Sequence, residues 1–426
     1  MARLLFVTSR LPFPPREGHQ LRSWHLLQAA ARVHDVTLLS LRRPEDPETL
    51  PGEVRDSLGD LDIVNLPATY APLEASRLAL NWLSGGRPLL DIRYATAALR
   101  RTFRRRVGHC DLVHLDMLAL AGLLSEVPAE MPSVLNEHNV EFELMRARLD
   151  IESDPWRRAV LHAQLAGLKR FESESCSRAR CVLACSDLDA ERLRSMAPGA
   201  SVHVIPNGVD TSVLRPAPDE SIDPGSLLFV GHMGWFPNRD GIEYFAREIL
   251  PLLRRRRALH IDVIGRKDGY RPGPDAAAPI RFHGFVNDLE DRLRRAAVFI
   301  VPLRLGGGTR LKVLEAMAMG KAIVGTSKAV EGIGLVDGRD ALIADTPEEF
   351  ARDVQRVLDE PALRIQLGLA ARRIAVDRFD WSGVGDRLLS VYDDLLGETG
   401  TRAKSRQPSA PVPKSVPKSE PRHGTA

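Results

Sequence analysis

The run Val298-Phe-Ile-Val-Pro-Leu-Arg-Leu-Gly-Gly-Gly-Thr-Arg-Leu-Lys-Val-Leu-Glu-Ala-Met-Ala-Met-Gly-Lys-Ala-Ile-Val-Gly325 carries the fold in miniature. Val298–Val301 is apolar and β-branched without alternation, as a strand covered on both faces is. Pro302 ends it, and Gly306, Gly307 and Gly308 form a loop whose backbone can approach a ligand closely. Thr309 is a suitable N-cap for a helix reaching Met319, and Gly320 is its C-terminal stop. Ala322–Gly325 reads as the next strand. Strand, helix and strand in this order predict a parallel pair joined by a right-handed crossover.

The alternation extends through the chain. A first series of strands is expected at Leu4–Thr8, Asp35–Ser40, Leu112–Leu115, Ser133–Asn136, Val182–Ala184 and Val202–Ile205. A second series adds Leu227–Val230, His260–Ile264, Ile280–His283 and Ala341–Ala344 to the two above. Helices such as Gln20–Arg32, Arg157–Ser177, Ile242–Arg254 and Glu348–Leu358 lie between them. The fold class is therefore α/β, with two doubly wound parallel-sheet, Rossmann-like domains facing a ligand cleft. Pro206 and Asn207-Gly208 punctuate the join, so the domains are set at 1–205 and 206–379, with a closing helix over 380–396. Residues 397–426 are rich in Pro, Lys, Ser and Thr and poor in apolar side chains, which predicts a disordered tail.

Composition narrows the function. With 59 basic and 56 acidic residues the net charge is only +3, too balanced for a general nucleic-acid binder. No apolar run is long enough to span a bilayer, and Met1–Arg10 reads as a buried strand rather than a signal peptide. Cys110, Cys176, Cys181 and Cys185 fit neither a disulfide framework nor a zinc pattern and read as reduced thiols of a cytoplasmic protein. Ser186-Asp-Leu-Asp189 reads as a capping box, not a metal-binding pair. Arg100, Arg101, Arg104, Arg105 and Arg106, like Arg254–Arg257, read as solvated faces, the first also as a candidate for reversible contact with anionic lipid at the inner membrane face. No Gly-x-Gly-x-x-Gly follows the first strand, which sets aside a dinucleotide-dependent dehydrogenase.

The chemistry concentrates after Pro302. A helix N-terminus with Arg310 and Lys312 in its first turn suits an anion such as a diphosphate, and Glu315, among apolar neighbours, needs a partner such as a hydroxyl pair. The bland alternative is a Lys312–Glu315 helix pair beside a glycine turn.

Gly308-Thr-Arg-Leu-Lys-Val-Leu-Glu-Ala-Met-Ala-Met-Gly-Lys-Ala-Ile-Val324 resembles the donor-binding signature of glycosyltransferase family 4, retaining enzymes of GT-B fold. Ile205–Asp210 resembles the family's interdomain segment, Phe229–Met233 its first C-domain strand and loop, and Pro12–Gly18 its N-terminal loop near the donor diphosphate. Asp380-Trp381 and the following helix resemble its C-terminal crossover. "Gly-Gly-Gly-Thr-Arg-Leu-Lys" and "Phe-Pro-Asn-Arg-Asp-Gly" resemble bacterial sugar transferases of exopolysaccharide clusters.

The resemblance implies a nucleotide-sugar donor, a glycan or lipid-linked glycan acceptor, and no metal or other cofactor. It implies that Arg310, Lys312 and His138 act in catalysis, and that Gly18, Val286, Gly306, Gly307, Gly308, Thr309 and Glu315 bind the donor. Two departures stand out. The first of the family's paired glutamates would fall at Gly307, and the loop Gly231–Asp240 offers no confident match to the usual diphosphate-binding Arg and Lys, Arg239 being a weak candidate. A nucleotide-sugar epimerase on the same architecture and a non-catalytic glycan-binding relative remain the alternatives.

Overall fold

The computed structural model describes all residues except 16, 68–87, 217–221, 255–258, 274–278, 287 and 406–426. Seven parallel strands form the N-terminal sheet: β1 (Arg3–Thr8), β2 (Asp35–Arg42), β3 (Asp60–Asn65), β4 (Leu112–Asp116), β5 (Ser133–Asn136), β6 (Cys181–Ala184) and β7 (Val202–Val204). Their order is β3-β2-β1-β4-β5-β6-β7. The C-terminal sheet has six: β8 (Asp223–Val230), β9 (His260–Ile264), β10 (Ile280–Gly284), β11 (Ala296–Val301), β12 (Ile323–Gly325) and β13 (Leu342–Ile343). Their order is β10-β9-β8-β11-β12-β13. In each sheet the first strand in sequence lies inside and the order reverses beside it, the arrangement that opens a crevice at the strands' carboxyl ends.

All twelve expected strands are present. The unexpected one, β3, is an edge strand whose Asp60 and Asp62 bind Arg106 at 2.7 and 2.6 Å. Its charged, half-exposed alternation hides it among loops, whereas Leu4–Val7 of β1 are wholly buried. Arg100 and Arg104 both pair with Glu126, so three of the five arginines expected on a solvated basic face neutralise neighbouring carboxylates. The stretch 254–257 lies almost entirely outside the described residues. Ser186 caps its helix as expected, its hydroxyl accepting from the Asp189 N–H at 3.1 Å. Cys176, Cys181 and Cys185 are buried free thiols.

The chain crosses between domains twice. Val209 N–H donates to Phe379 C=O at 2.8 Å and Trp381 N–H to Val209 C=O at 3.3 Å, so the two crossings lie side by side. Helix Trp381–Ser405 then returns to the N-terminal domain. Its Trp381, Val384, Leu388, Val391, Tyr392 and Leu395 recur at helical spacing and join the core of Leu4, Phe6, Leu26 and Leu27. The Tyr392 hydroxyl meets His114 Nδ1 at 2.8 Å in that core.

The closing helix was expected to stop at Leu396. It runs on to Ser405, because an exposed glycine such as Gly397 costs a helix only about 1 kcal/mol. The rest of the expected tail, 406–426, lies outside the described residues. Beyond Gly397 the described contact is the Arg180–Glu398 pair, 44% and 55% exposed at its side chains. Such pairs contribute at most about 1 kcal/mol, so ending the chain after Gly397 is expected to lower the melting temperature by no more than about 4 °C. A larger drop in calorimetry would show that the remainder docks.

Candidate active site

A cleft of about 760 Å³ opens between the domains. Two helix N-termini border it: Gly18–Ala31 from the N-terminal domain and Leu311–Ala318 from the C-terminal one. Neither has a side-chain cap, so both leave backbone N–H groups and a positive dipole end for an anion. Gly18 lets the two approach, since a Cβ there would stand 2.9 Å from the Leu311 side chain.

The glycine loop is held from across the cleft. Asn207 Nδ2 donates to Thr309 C=O at 3.0 Å, and the Thr309 hydroxyl donates to Cys185 C=O at 2.8 Å. That hydroxyl is therefore spent on the other domain, and the cap position falls on Arg310 instead of Thr309. Gly306 and Gly308 have φ of +123° and +66°, and a Cβ on Gly308 would lie 2.8 Å from His138 C=O. At Gly307 a Cβ would meet Asn139 at an ordinary 3.6 Å. Gly308→Ala is thus expected to cost about 1–3 kcal/mol of stability and to weaken ligand binding, while Gly307→Ala is nearly neutral. Denaturant unfolding of the two variants checks this; equal effects would mean that the loop yields.

Arg310 turns inward. Its guanidinium donates to the carbonyls of Gly307, Gly308 and Lys328. It borders the cleft but is held by its own loop, which it braces. Lys312 reaches the other way: its Nζ donates to Asn238 Oδ1 at 2.6 Å and sits 4.3 Å over the Phe229 ring, at the carboxyl end of β8. Burial, and then the charge of Arg310, push it down to about 7. Glu315 is half-buried one turn further, without a hydrogen-bond or ion-pair partner among the described residues, and burial pushes its carboxyl up to about 7. It does not line the cleft; Val286 does, beside the exposed Phe285.

His138 lines the N-terminal wall, and Asp116 at the end of β4 holds it with Oδ1 2.8 Å from Nε2. The same carboxylate accepts from Asn136 Nδ2 at 2.6 Å and from the Ser23 hydroxyl. Burial pushes Asp116 up, yet the charge and hydrogen bond of His138, with His114 Nε2 nearby at 3.9 Å, outweigh it and hold the carboxyl well below its ordinary value. His19 also borders the cleft, driven down to about 4 by burial.

The profile described as Glycosyltransferase Family 4 matches residues 18–213, and the one described as Glycosyl transferases group 1 matches 224–360. Each of the two domains is thus similar to a glycosyltransferase family, the N-terminal one to Glycosyltransferase Family 4. A phosphatidyl-myo-inositol mannosyltransferase from Mycolicibacterium smegmatis is 30% identical over 226 residues, 50% of this chain and 57% of that protein. The match thus spans little more than half the length of that relative. The MMP alpha-(1->4)-mannosyltransferase of Mycolicibacterium hassiacum is 24% identical across 87% of each chain. Among solved structures, sucrose-phosphate synthase from Thermosynechococcus elongatus superposes with TM-score 0.72 at 17% identity, covering 93% of this chain and all of that one. Anabaena Alr3699/HepE in complex with UDP-glucose gives TM-score 0.63 at 14% identity, covering 92% of this chain and 100% of that one. The two-sheet architecture is GT-B.

Sequence reading missed three residues of this site. Arg266, immediately after β9, borders the cleft and reaches Glu17 of the other domain at 3.4 Å and Asp268 at 3.2 Å. It places a cation where the Gly231–Asp240 loop supplies none; Arg239 does not line the cleft. Asp116 could have been flagged as a carboxylate ending a central strand. Arg22, fully buried, donates to the carbonyls of Ile205 and Pro206 at 2.8 and 2.9 Å and to Asn136 Oδ1 at 2.8 Å, fastening the interdomain segment to the His138 loop.

Proposed function

We propose that this protein transfers a sugar from a nucleotide-sugar to a hydroxyl of a glycan or lipid-linked glycan, with retention at the anomeric carbon, in polysaccharide biosynthesis. The observation that carries this is the meeting of Lys312 and two uncapped helix N-termini at one cleft, with His138 on the facing wall. In the reaction the C1–O bond to the diphosphate breaks and the leaving group takes the electron pair. The acceptor oxygen bonds to C1 from the same face, and its proton passes to the leaving phosphate oxygen. Charge on that oxygen grows as the sugar departs, so Lys312, Arg266 and the N–H groups of Gly306–Thr309 act most strongly there. These cationic and N–H donors supply the countercharge, with neither metal nor other cofactor in the scheme. Arg310 keeps the loop in shape from behind.

His138 meets the departing sugar or its phosphate, Glu315 the ribose hydroxyls once the domains close, and Val286 the base through its backbone. The UDP-glucose complex of Alr3699/HepE and the mannosyltransferase names of the relatives support a sugar-nucleotide donor. We place the protein on the cytoplasmic side, with reversible contact to anionic membrane left to Arg101 and Arg105, which carry no ion pair among the described residues. Mass spectrometry of products from a panel of nucleotide-sugars, with and without membrane extract, tests the reading. Transfer product is expected in one pairing; interconverted free sugar nucleotides would make it an epimerase, and no turnover of any donor would sink the enzyme assignment.

A further inference from the structure

The N-terminal wall of the cleft has a chemistry that a sugar alone does not use. On helix Glu141–Ile151 the cleft-lining residues are Glu141, Leu144, Met145 and Arg148, at the three- and four-residue spacing of one face. Leu161 and Met117 extend the apolar surface, and Trp235 and Phe236 face it from the other domain. Following the same face outward, Ile151 is 44% exposed, and Trp156 at the start of the next helix is 78% exposed. An apolar track therefore leaves the site and ends at open solvent, about 15 Å along the helix from Glu141.

Its two polar residues differ in sign. Glu141 lies at the inner end beside Asn139, which stands against the glycine loop, and burial pushes its carboxyl up to about 7. Arg148 lies about 10 Å further out, two helical turns on. Its guanidinium sits 5.6 Å over the Phe236 ring and has no carboxylate partner among the described residues. An unpaired guanidinium fixed over an aromatic face between apolar walls suits a phosphate joined to an apolar chain.

We propose that this track binds the acceptor, and that the acceptor is a sugar joined through a phosphate to a long aliphatic chain. The sugar hydroxyl faces Glu141, the phosphate meets Arg148, and the chain runs over Leu144 and Met145 towards Ile151 and Trp156. Glu141 is a positioning residue for that hydroxyl. Asp150, Glu152 and Asp154 at the same tip outnumber Arg157 and Arg158, so the tip has no basic excess to hold it broadly on an anionic surface, which favours the passage of one chain over a membrane-binding face. The proposal rests on the transferase reading, from which it takes the direction of the acceptor.

Calorimetric titration of the full chain with decyl phosphate below its micelle concentration tests it, against decyl glucoside, inorganic phosphate and maltoheptaose. Decyl phosphate is expected to bind at least tenfold more tightly than each of the others. Arg148→Gln should reduce it to the level of the neutral glucoside, and Met145→Gln should weaken both chain-bearing probes about tenfold. Unaltered melting and unaltered binding of UDP and GDP show that each variant is folded. Decyl phosphate binding no tighter than inorganic phosphate, tighter binding of maltoheptaose, or wild-type affinity in both variants overturns the proposal. Absence of nucleotide binding in the wild type, with the decyl phosphate pattern intact, would instead overturn the donor site and leave the track standing.

Discussion

Replacing Lys312 by Met is expected to lower turnover by about 10²–10³, the loss typical of removing one donor that stabilises a developing oxyanion. The ammonium is placed by Asn238 Oδ1 at 2.6 Å and by the Phe229 ring, at the meeting of both helix N-termini. Arg310 cannot stand in for it while its own guanidinium holds three carbonyls. Because the contact strengthens as the sugar leaves, the defect should fall on kcat more than on donor dissociation. Burial has moved the Lys312 ammonium down to about 7. Donor capture should therefore weaken as pH rises through about 7 in the wild type, and this limb should vanish in the variant. Stability moves in the opposite sense. The unfolded chain keeps Lys312 charged to higher pH than the folded one does, so burying the charge costs stability at neutral pH, and Lys312→Met should melt slightly higher. Were Lys312 only a helix partner of Glu315, the change would cost about 0.2–0.5 kcal/mol and leave turnover alone. Single-turnover rates across pH, read beside calorimetry, distinguish the two.

The parallel sheets were legible because their strands are covered on both faces, so Leu4–Val7 and Val298–Val301 announce themselves by composition alone. An edge strand has no such signature, and β3 with Asp60 and Asp62 passed for a loop. The glycine loop was legible as a ligand loop, but side chains inside it were not. Whether Arg310 faces a ligand or its own backbone depends on how Gly306 and Gly308 turn, and whether Thr309 caps a helix depends on Cys185 in the other domain. Arg266 and Asp116 were passed over for a related reason. Each is a single charged residue at a strand end, and its meaning comes from partners far away in sequence: Glu17 for one, Ser23, Asn136 and His138 for the other. Glu315 shows the limit from the other side, since its type and spacing point to a hydroxyl ligand while its side chain lies just outside the open cleft.

Asp116→Ala should be the most damaging single change in the N-terminal wall, costing about 1–3 kcal/mol for each buried donor that loses its acceptor. The carboxylate is 1% exposed, and its loss leaves His138 Nε2 and Asn136 Nδ2 without this acceptor and the Ser23 hydroxyl with the His19 carbonyl alone. Asn136 also accepts from Arg22, which holds the interdomain segment at Ile205 and Pro206, so the damage should spread to the join. Asp116→Asn keeps the shape and removes the charge. It should cost about 1–3 kcal/mol and, by freeing His138, lower turnover roughly 10–100-fold with little change in nucleotide binding. The pH dependence has a definite sign. A carboxyl held below its unfolded value contributes stability above about pH 4, and this is lost as pH falls towards the folded value. The gap between wild type and Asp116→Asn in denaturant unfolding should accordingly be full at pH 7 and close progressively below pH 4. A gap that stays constant with pH would mean that Asp116 acts by shape alone, and wild-type turnover in Asp116→Asn would remove His138 from the reaction.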